Sequence, residues 1–266
     1  MVEHRKGDAQ NNRRQETSNR CDHADSPISV VTLHGNAGYT FQPAQIEFSP
    51  NPEARPEGGS LLKPETQRSF IFGMKADSRN GLVGFDVDAF VVNFYNQPIE
   101  ASSNGIAVLR SIGQQRYKGI DTEGALRPAS GLSIKANVGW SDAQYEDYVA
   151  DIDGQPTQLA GHQQVLTPNL RAGGGVLYAP TRGWRGSLTS NWIGAHWLNS
   201  LNTFEAPGYV VVDASLGYRF EKFTVAVLGS NLGDRRDAAQ LSELGEGQFY
   251  RLPARRIDVT LVWHYR

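Results

Sequence analysis

Arg256-Ile257-Asp258-Val259-Thr260-Leu261-Val262-Trp263-His264-Tyr265 places Ile257, Val259, Leu261, Trp263 and Tyr265 at every second position, with polar residues at four of the five positions between. A period of two sends successive side chains to opposite faces of an extended chain, so the stretch reads as a β-strand with one face against an apolar medium. Working back along the chain, the same alternation recurs in Val210, Val212, Ala214, Leu216 and Tyr218, and in Leu132, Ile134, Ala136, Val138 and Trp140. It appears again in Val83, Phe85, Val87, Ala89 and Val91, set off by Asp86 and Asp88. The pattern predicts ten strands, near 28–41, 66–77, 82–96, 106–127, 131–145, 167–179, 184–199, 207–219, 223–234 and 248–265. The fold class is all-β, an antiparallel up-and-down meander.

The connections sort by length. Asp77–Gly81, Arg127–Gly131, Ala179–Gly183 and Arg219–Lys222 are short, and the first three carry the Gly, Pro, Asn and Asp of tight turns. Residues 42–65, 97–105, 146–166, 200–206 and 235–247 are long and polar. A meander with short turns at one end and long loops at the other is the pattern of an outer-membrane β-barrel. The aromatics agree. Tyr178, Trp184, Tyr218, Phe223, Trp263 and Tyr265 stand beside the short turns on the apolar faces, as a membrane girdle. Tyr39, Tyr95, Trp140 and Trp192 stand toward the long loops, where a second girdle belongs.

Composition narrows the function. The 266 residues are 39% hydrophobic and 20% charged, with no apolar run approaching the roughly 18 residues of a membrane-spanning helix. A formal net charge of −2 gives no broad basic footprint for nucleic acid. Cys21 stands alone, and the six histidines show neither helical i, i+4 spacing nor a cysteine partner, so neither a disulfide nor a conventional zinc site is expected. Residues 1–27 are charged, rich in Asn and Gln and almost without aliphatics, and are expected to be disordered or to follow a mis-placed start. They hold no apolar core of a secretory signal, so the natural beginning of the protein is expected upstream of Met1.

Leu62-Lys63-Pro64-Glu65, the strand Phe85–Phe90, the segment Tyr117–Glu123, the element Asn231-Leu232-Gly233-Asp234 and the closing Pro253-Ala254-Arg255-Arg256 follow one another in a telling order. In order and spacing they resemble the carboxyl-terminal barrel of TonB-dependent outer-membrane receptors. The resemblance covers residues 28–266 and implies that the chain is the last part of a transmembrane β-barrel of about 22 strands. The family's plug domain and TonB-contacting segment have no counterpart here. Its usual terminal aromatic is represented by the penultimate Tyr265, followed by Arg266.

What the resemblance implies is transport, not catalysis. The location is the outer membrane of a Gram-negative cell, and the partners are outer-membrane lipid and a small extracellular ligand such as a ferric siderophore. The TonB complex would be reached only through the part lacking here. No cofactor is implied, and the chain alone is expected to be transport-incompetent. Candidate ligand contacts are Arg68, Asp86, Asp88, Asp121, Glu123, Lys135 and Arg256, taken as facing the lumen, with Trp197, Tyr250 and Arg251 in the loops.

Asp86 with Asp88, and Asp121 with Glu123, are two apart and so share a strand face. That spacing suits a metal or an acid–base pair, but it suits equally the solvated rungs of a water-filled lumen. Gly173-Gly174-Gly175 lacks the following Lys-Ser/Thr of a phosphate loop and reads as a place of close backbone approach. Two alternatives stand beside the receptor: a small stand-alone outer-membrane barrel closed by its own ten strands, and a soluble all-β binding module with its apolar faces packed together. Cut from a larger barrel, ten strands would leave two edges that lipid does not tolerate, so the isolated chain is expected to fold poorly.

Overall fold

A computed structural model describes residues 31–43, 63–103, 106–152, 154–242 and 245–265. The segment 1–27 and most of the 42–65 connection lie outside the described residues. The strands are β1 (Val31–Gln42), β2 (Glu65–Asp77), β3 (Val83–Ser103), β4 (Ile106–Ala129), β5 (Leu132–Asp147), β6 (Val149–Ile152), β7 (Gln155–Gln158) and β8 (Leu170–Tyr178). They continue as β9 (Gly183–Ile193), β10 (His196–Trp197), β11 (Glu205–Ala206), β12 (Tyr209–Arg219), β13 (Phe223–Ser230), β14 (Ala238–Ser242), β15 (Gly245–Arg251) and β16 (Arg256–Trp263). No described residue is helical.

Ten of these strands make one antiparallel sheet in the order β1-β2-β3-β4-β5-β8-β9-β12-β13-β16, and the others form three small hairpins at the long-loop end. Within the large sheet each strand pairs with its neighbours in the meander, which is why local alternation was enough to find them. Among the described residues β1 and β16 do not pair with each other. Ten strands therefore do not close a small barrel; they form an open wall.

The register sorts the side chains onto two faces. Val31, Leu33, Ala37, Tyr39 and Phe41 of β1 stand opposite Ala76, Met74, Phe70, Arg68 and Thr66 of β2, and the same face continues through Phe85, Val87, Ala89 and Val91 of β3. At the far side it carries Val225 and Val227 against Leu261 and Val259. These apolar side chains are exposed: Phe72 is 63%, Leu261 67% and Val259 74% accessible. Buried hydrophobic residues of the described chain gather instead at the long-loop end, where Tyr145, Tyr148, Ala150 and Leu159 pack together with Ile152 and Leu201. A soluble module would bury its greasy faces against each other; an uncovered apolar wall of this extent is the mark of a surface that meets a membrane or a partner.

Aromatic rings stand in contact at the short-turn end of the wall. Beside the short turns Trp184 meets Tyr218 edge to face with centroids 5.4 Å apart, and Tyr218 lies 4.6 Å from Phe220. Phe220 stacks on Phe223 at 4.4 Å, and Phe223 on Trp263 at 6.0 Å. Phe220, in the turn itself, links Trp184, Tyr218, Phe223 and Trp263 into a continuous row. On β9 the outward-facing Trp184 and Trp192 are separated by eight residues, about 26 Å along a strand, and the usual strand tilt brings that to roughly the thickness of a barrel's apolar band. Leu188 sits midway, between Val176 of β8 and Ala214 of β12.

Several expected boundaries differ: the loop 146–166 holds the hairpin β6–β7, the loop 235–247 holds β14 and the start of β15, and the strand expected over 223–234 ends at Ser230. Residues 97–105, expected as a loop, mostly continue the β3–β4 hairpin, paired from Gln97↔Ile112 out to Ser103↔Ile106. On β3 the alternation there is short, Ile99 and Ala101 only, and Pro98 reads as a breaker, so the extension is not signalled. The expected strand 184–199 stops at Ile193, and His196–Trp197 pairs with Glu205–Ala206 instead. The expected strand 248–265 is two elements, β15 and β16, divided at Leu252–Arg255 around Pro253.

Asn231 ends β13 with a positive φ of 49°. Its backbone N–H donates to Asp213 Oδ1 at 2.7 Å, its side-chain amide donates to the carbonyls of Arg235 and Pro253, each at 2.8 Å, and its Oδ1 accepts from the N–H of Arg235 at 2.9 Å. Asp234 accepts the Arg255 N–H at 2.9 Å. That backbone hydrogen bond, with Arg236 and Arg255 beside it, holds the Asp234 carboxyl below the usual carboxylate range. The two residues close the loop between β13 and β16 on itself.

Two outcomes test this architecture. Leu188→Arg should destabilise the folded protein by about 2–4 kcal/mol, the usual cost of a cation at the bilayer midplane, whereas Thr189→Lys on the other face should change little; denaturant titration in lipid vesicles measures both. A depressed carboxyl contributes stability above its unfolded pKa and loses it as pH falls through the folded value. The Arg255 amide should thus stay protected from hydrogen exchange at neutral pH and lose protection only below about pH 4, and Asp234→Asn should weaken that protection at neutral pH.

Candidate functional site

The second face of the wall is polar and lines a hollow. Its side chains form rungs that run from strand to strand. One rung places His34 of β1 opposite Gly73 of β2, then Asp88 of β3, Asp121 of β4, Gly139 of β5 and Arg171 of β8. The next rung toward the short turns runs Lys75, Asp86, Glu123, Asn137, Gly173 and Asn191. Asp86, Asp88, Asp121, Glu123, Asn137, Arg171 and Asn191 all line one concave patch.

Glycines in these rungs are occupied space, not gaps. A Cβ at Gly73 would collide with Asp88 Oδ1 and His34 Nε2, and one at Gly139 with Asp121 Oδ1. A Cβ at Gly173 would meet the amide oxygens of Asn137 and Asn191 at 2.7 and 2.8 Å. The neighbouring polar side chains lie down across the bare strand, which accounts for the first of the three consecutive glycines without any phosphate-binding role.

The expected carboxylate pairs are brought together: Asp86 faces Glu123 and Asp88 faces Asp121. Lys75 Nζ lies 2.9 Å from Asp86 Oδ2 and Lys135 Nζ lies 2.9 Å from Glu123 Oε1. His34 Nε2 is 2.7 Å from Asp88 Oδ1, and the ligating atoms of His34, Asp86 and Asp88 all lie within 4.8 Å of one another. These three are the described residues able to hold a metal ion. Nothing in the local pattern around His34 signals this role, because its partners come from β3, two strands away. Arg256 also faces this side, paired with Asp258 at 2.7 Å.

Arg68 is not on this face. It stands on the apolar side, opposite Tyr39 of β1 and Asn93 of β3, with its guanidinium 5.8 Å from the centre of the Tyr95 ring. Toward the long loops that outer face turns polar: Lys118 pairs with Asp142 at 3.1 Å and Arg116 with Glu146 at 2.7 Å. A long cationic stem above the apolar band can lie along greasy surface and keep its head among polar groups. Arg68 therefore stands beside Tyr39 and Tyr95 on the outer face.

The loop candidates part company. Trp197 is locked in place: its indole N–H donates to Gln163 Oε1 at 3.0 Å, and its carbonyl accepts the Leu166 N–H at 2.9 Å. The segment around it folds inward, with the Gln164 N–H donating to the Ala143 carbonyl and the Tyr145 N–H to the His162 carbonyl, each at 3.0 Å. Gln164 also bonds to Gln115 and to the Tyr117 hydroxyl on the lumen face of β4. Tyr250 and Arg251 lie on the exposed β14–β15 hairpin. That hairpin approaches β3, although β3 is third in the sheet and β13 and β16 are ninth and tenth.

A two-faced wall of this kind has known counterparts. A family profile described as TonB dependent receptor-like, beta-barrel matches residues 25–232. The ferrioxamine B receptor of Salmonella typhimurium is 25% identical over 226 residues, 81% of this chain and 31% of that protein. The chain thus spans about a third of the length of the curated relatives it matches. Among solved structures, the ferric yersiniabactin uptake receptor of Yersinia pestis superposes with a TM-score of 0.68 at 16% identity, over 90% of this chain and 36% of that one. The siderophore receptor of Acinetobacter baumannii gives 0.69 at 16% identity, over 89% and 34%. At these identities the two structures speak for the fold.

The inward-folded segment rests on a buried polar link. Gln164→Leu should leave Gln115 and Tyr117 short of a partner in a water-poor place, costing about 1–3 kcal/mol locally. Limited proteolysis should then cut within residues 159–167 sooner than in the parent protein, with the strands of the wall still resistant.

Proposed function

The chain belongs to the family of TonB-dependent receptor-like β-barrels, and we propose on that premise that it forms the carboxyl-terminal part of a barrel of about 22 strands through which a scarce extracellular ligand is taken up. The ligand class is a ferric siderophore. The observation that carries this reading is the wall itself: apolar and ringed by aromatics on one face, charged and concave on the other. Such a wall separates lipid from a wide aqueous lumen, and a lumen of that width has to be plugged.

The remainder of the barrel, the plug and the TonB-contacting segment belong to the rest of the receptor. The ferrioxamine B receptor supplies the substrate class by analogy. The role assigned is binding and passage, with no bond made or broken. The wall contributes the lumen surface, and the loops around Trp197, Tyr250 and Arg251 stand at the mouth, where a ligand arrives first.

The test is uptake of iron-55 bound to hydroxamate and catecholate siderophores, in cells carrying the native gene, a deletion, or a deletion of tonB. Uptake of at least one complex should fall to background in both deletions and return with the native gene alone. Equal uptake of every complex by all three strains would remove the siderophore assignment.

A further inference from the structure

We propose that the lumen face carries a binding site for a divalent first-row transition cation, formed by His34 of β1 with Asp86 and Asp88 of β3. The argument is geometric and electrostatic. One imidazole nitrogen and two carboxylates gather their ligating atoms within 4.8 Å, from strands on either side of β2. Between them β2 presents Gly73, the residue directly opposite both His34 and Asp88. Any larger residue would put its Cβ onto Asp88 Oδ1 and His34 Nε2. The cluster can meet across β2 only because that position is bare.

A second observation concerns Asp86 alone. Its Oδ2 is held by Lys75 at 2.9 Å, but its Oδ1 is shut off from solvent and has no hydrogen-bond partner among the described residues. A buried carboxylate oxygen without a donor is costly, and a cation supplies what it lacks.

Charge points the same way. Asp86 sits directly opposite Glu123 and Asp88 directly opposite Asp121, and like charges facing each other across strands repel. Lys75, Lys135 and Arg171 are the cations of the patch, so with His34 neutral the four carboxylates leave it negative. A divalent ion would take the place of the proton between His34 Nε2 and Asp88, leaving its open side to water from the lumen. Imidazole with carboxylates suits zinc, ferrous iron or nickel better than calcium or magnesium, which prefer oxygen alone. The site depends on which face looks into the lumen, not on the identity of the transported ligand, so failure of the siderophore assignment would leave it standing.

The experiment uses the native full-length protein extracted from outer membranes in detergent and stripped with EDTA. Zinc chloride is titrated against a chromogenic chelator, with cobalt chloride as a spectroscopic probe, for the parent, His34→Ala, Asp88→Asn and Gly73→Ala. Glu123→Gln serves as a neighbour that supplies no ligand, and circular dichroism with heat-modifiable gel mobility confirms that each variant is folded. Relative to the parent, one zinc equivalent should weaken at least tenfold in each of the three site variants and remain in Glu123→Gln. X-ray absorption of that zinc should lose an imidazole contribution in His34→Ala. The same number and affinity of zinc ions in folded parent and folded Asp88→Asn, or no zinc bound by the folded parent, would overturn the proposal.

Discussion

Lipid on one side of a single sheet and water on the other is the constraint from which the rest of this structure follows. A backbone in hydrocarbon has to satisfy its N–H and C=O groups internally, and the eight inner strands of the wall are each paired on both sides in unbroken antiparallel order. Because pleated side chains alternate, each strand then has to be apolar at every second residue for as long as it lies within the bilayer. Trp184 and Trp192 bracket that length on β9, and Leu188 between them has no protein covering it. In water such a surface would aggregate. In the outer membrane it is the solvent-facing side of the molecule, and the packed core of a soluble domain has no counterpart in the wall.

That constraint also decides what the sequence reveals. The strands inside the membrane were legible because period two is enforced there, and the same period puts Tyr178, Trp184, Tyr218, Phe223 and Trp263 on the apolar face beside the short turns. Where the constraint lapses, so does the signal. Residues 97–103 carry only Ile99 and Ala101 as alternation, with Pro98 beside them, and β15 adjoins β16 so closely that 248–265 reads as one strand. The charge of Arg68 by itself points to the lumen. The period itself, set by Phe70 and Phe72 on the same face, puts Arg68 outside, where Tyr95 receives it.

The lumen side was legible in kind but not in arrangement. Aspartates two apart announce a polar face, and the structure places them there. Their companions come from other strands, and no single-strand pattern contains the register that sets His34 beside Gly73 and Asp88. The same holds for Gln164, whose partners Gln115 and Tyr117 lie nearly fifty residues earlier. Both features depend on cross-strand alignment, which the turns and the apolar pattern fix together. Lumen chemistry is in this sense a by-product of the register that the lipid face demands.

The claim that the two faces meet lipid and water is tested most directly by a nitroxide scan of β9. Single cysteines from Trp184 to Trp192, in a background where Cys21 is replaced by serine, are spin-labelled in the native protein in lipid vesicles. Accessibility to oxygen and to a water-soluble nickel chelate is then read at each site. The account predicts oxygen accessibility that rises at 184, 186, 188, 190 and 192 and falls at the positions between, peaking near 188, with the nickel chelate excluded from the even series. Equal access of the nickel chelate to both series, or loss of the two-residue period, would contradict it.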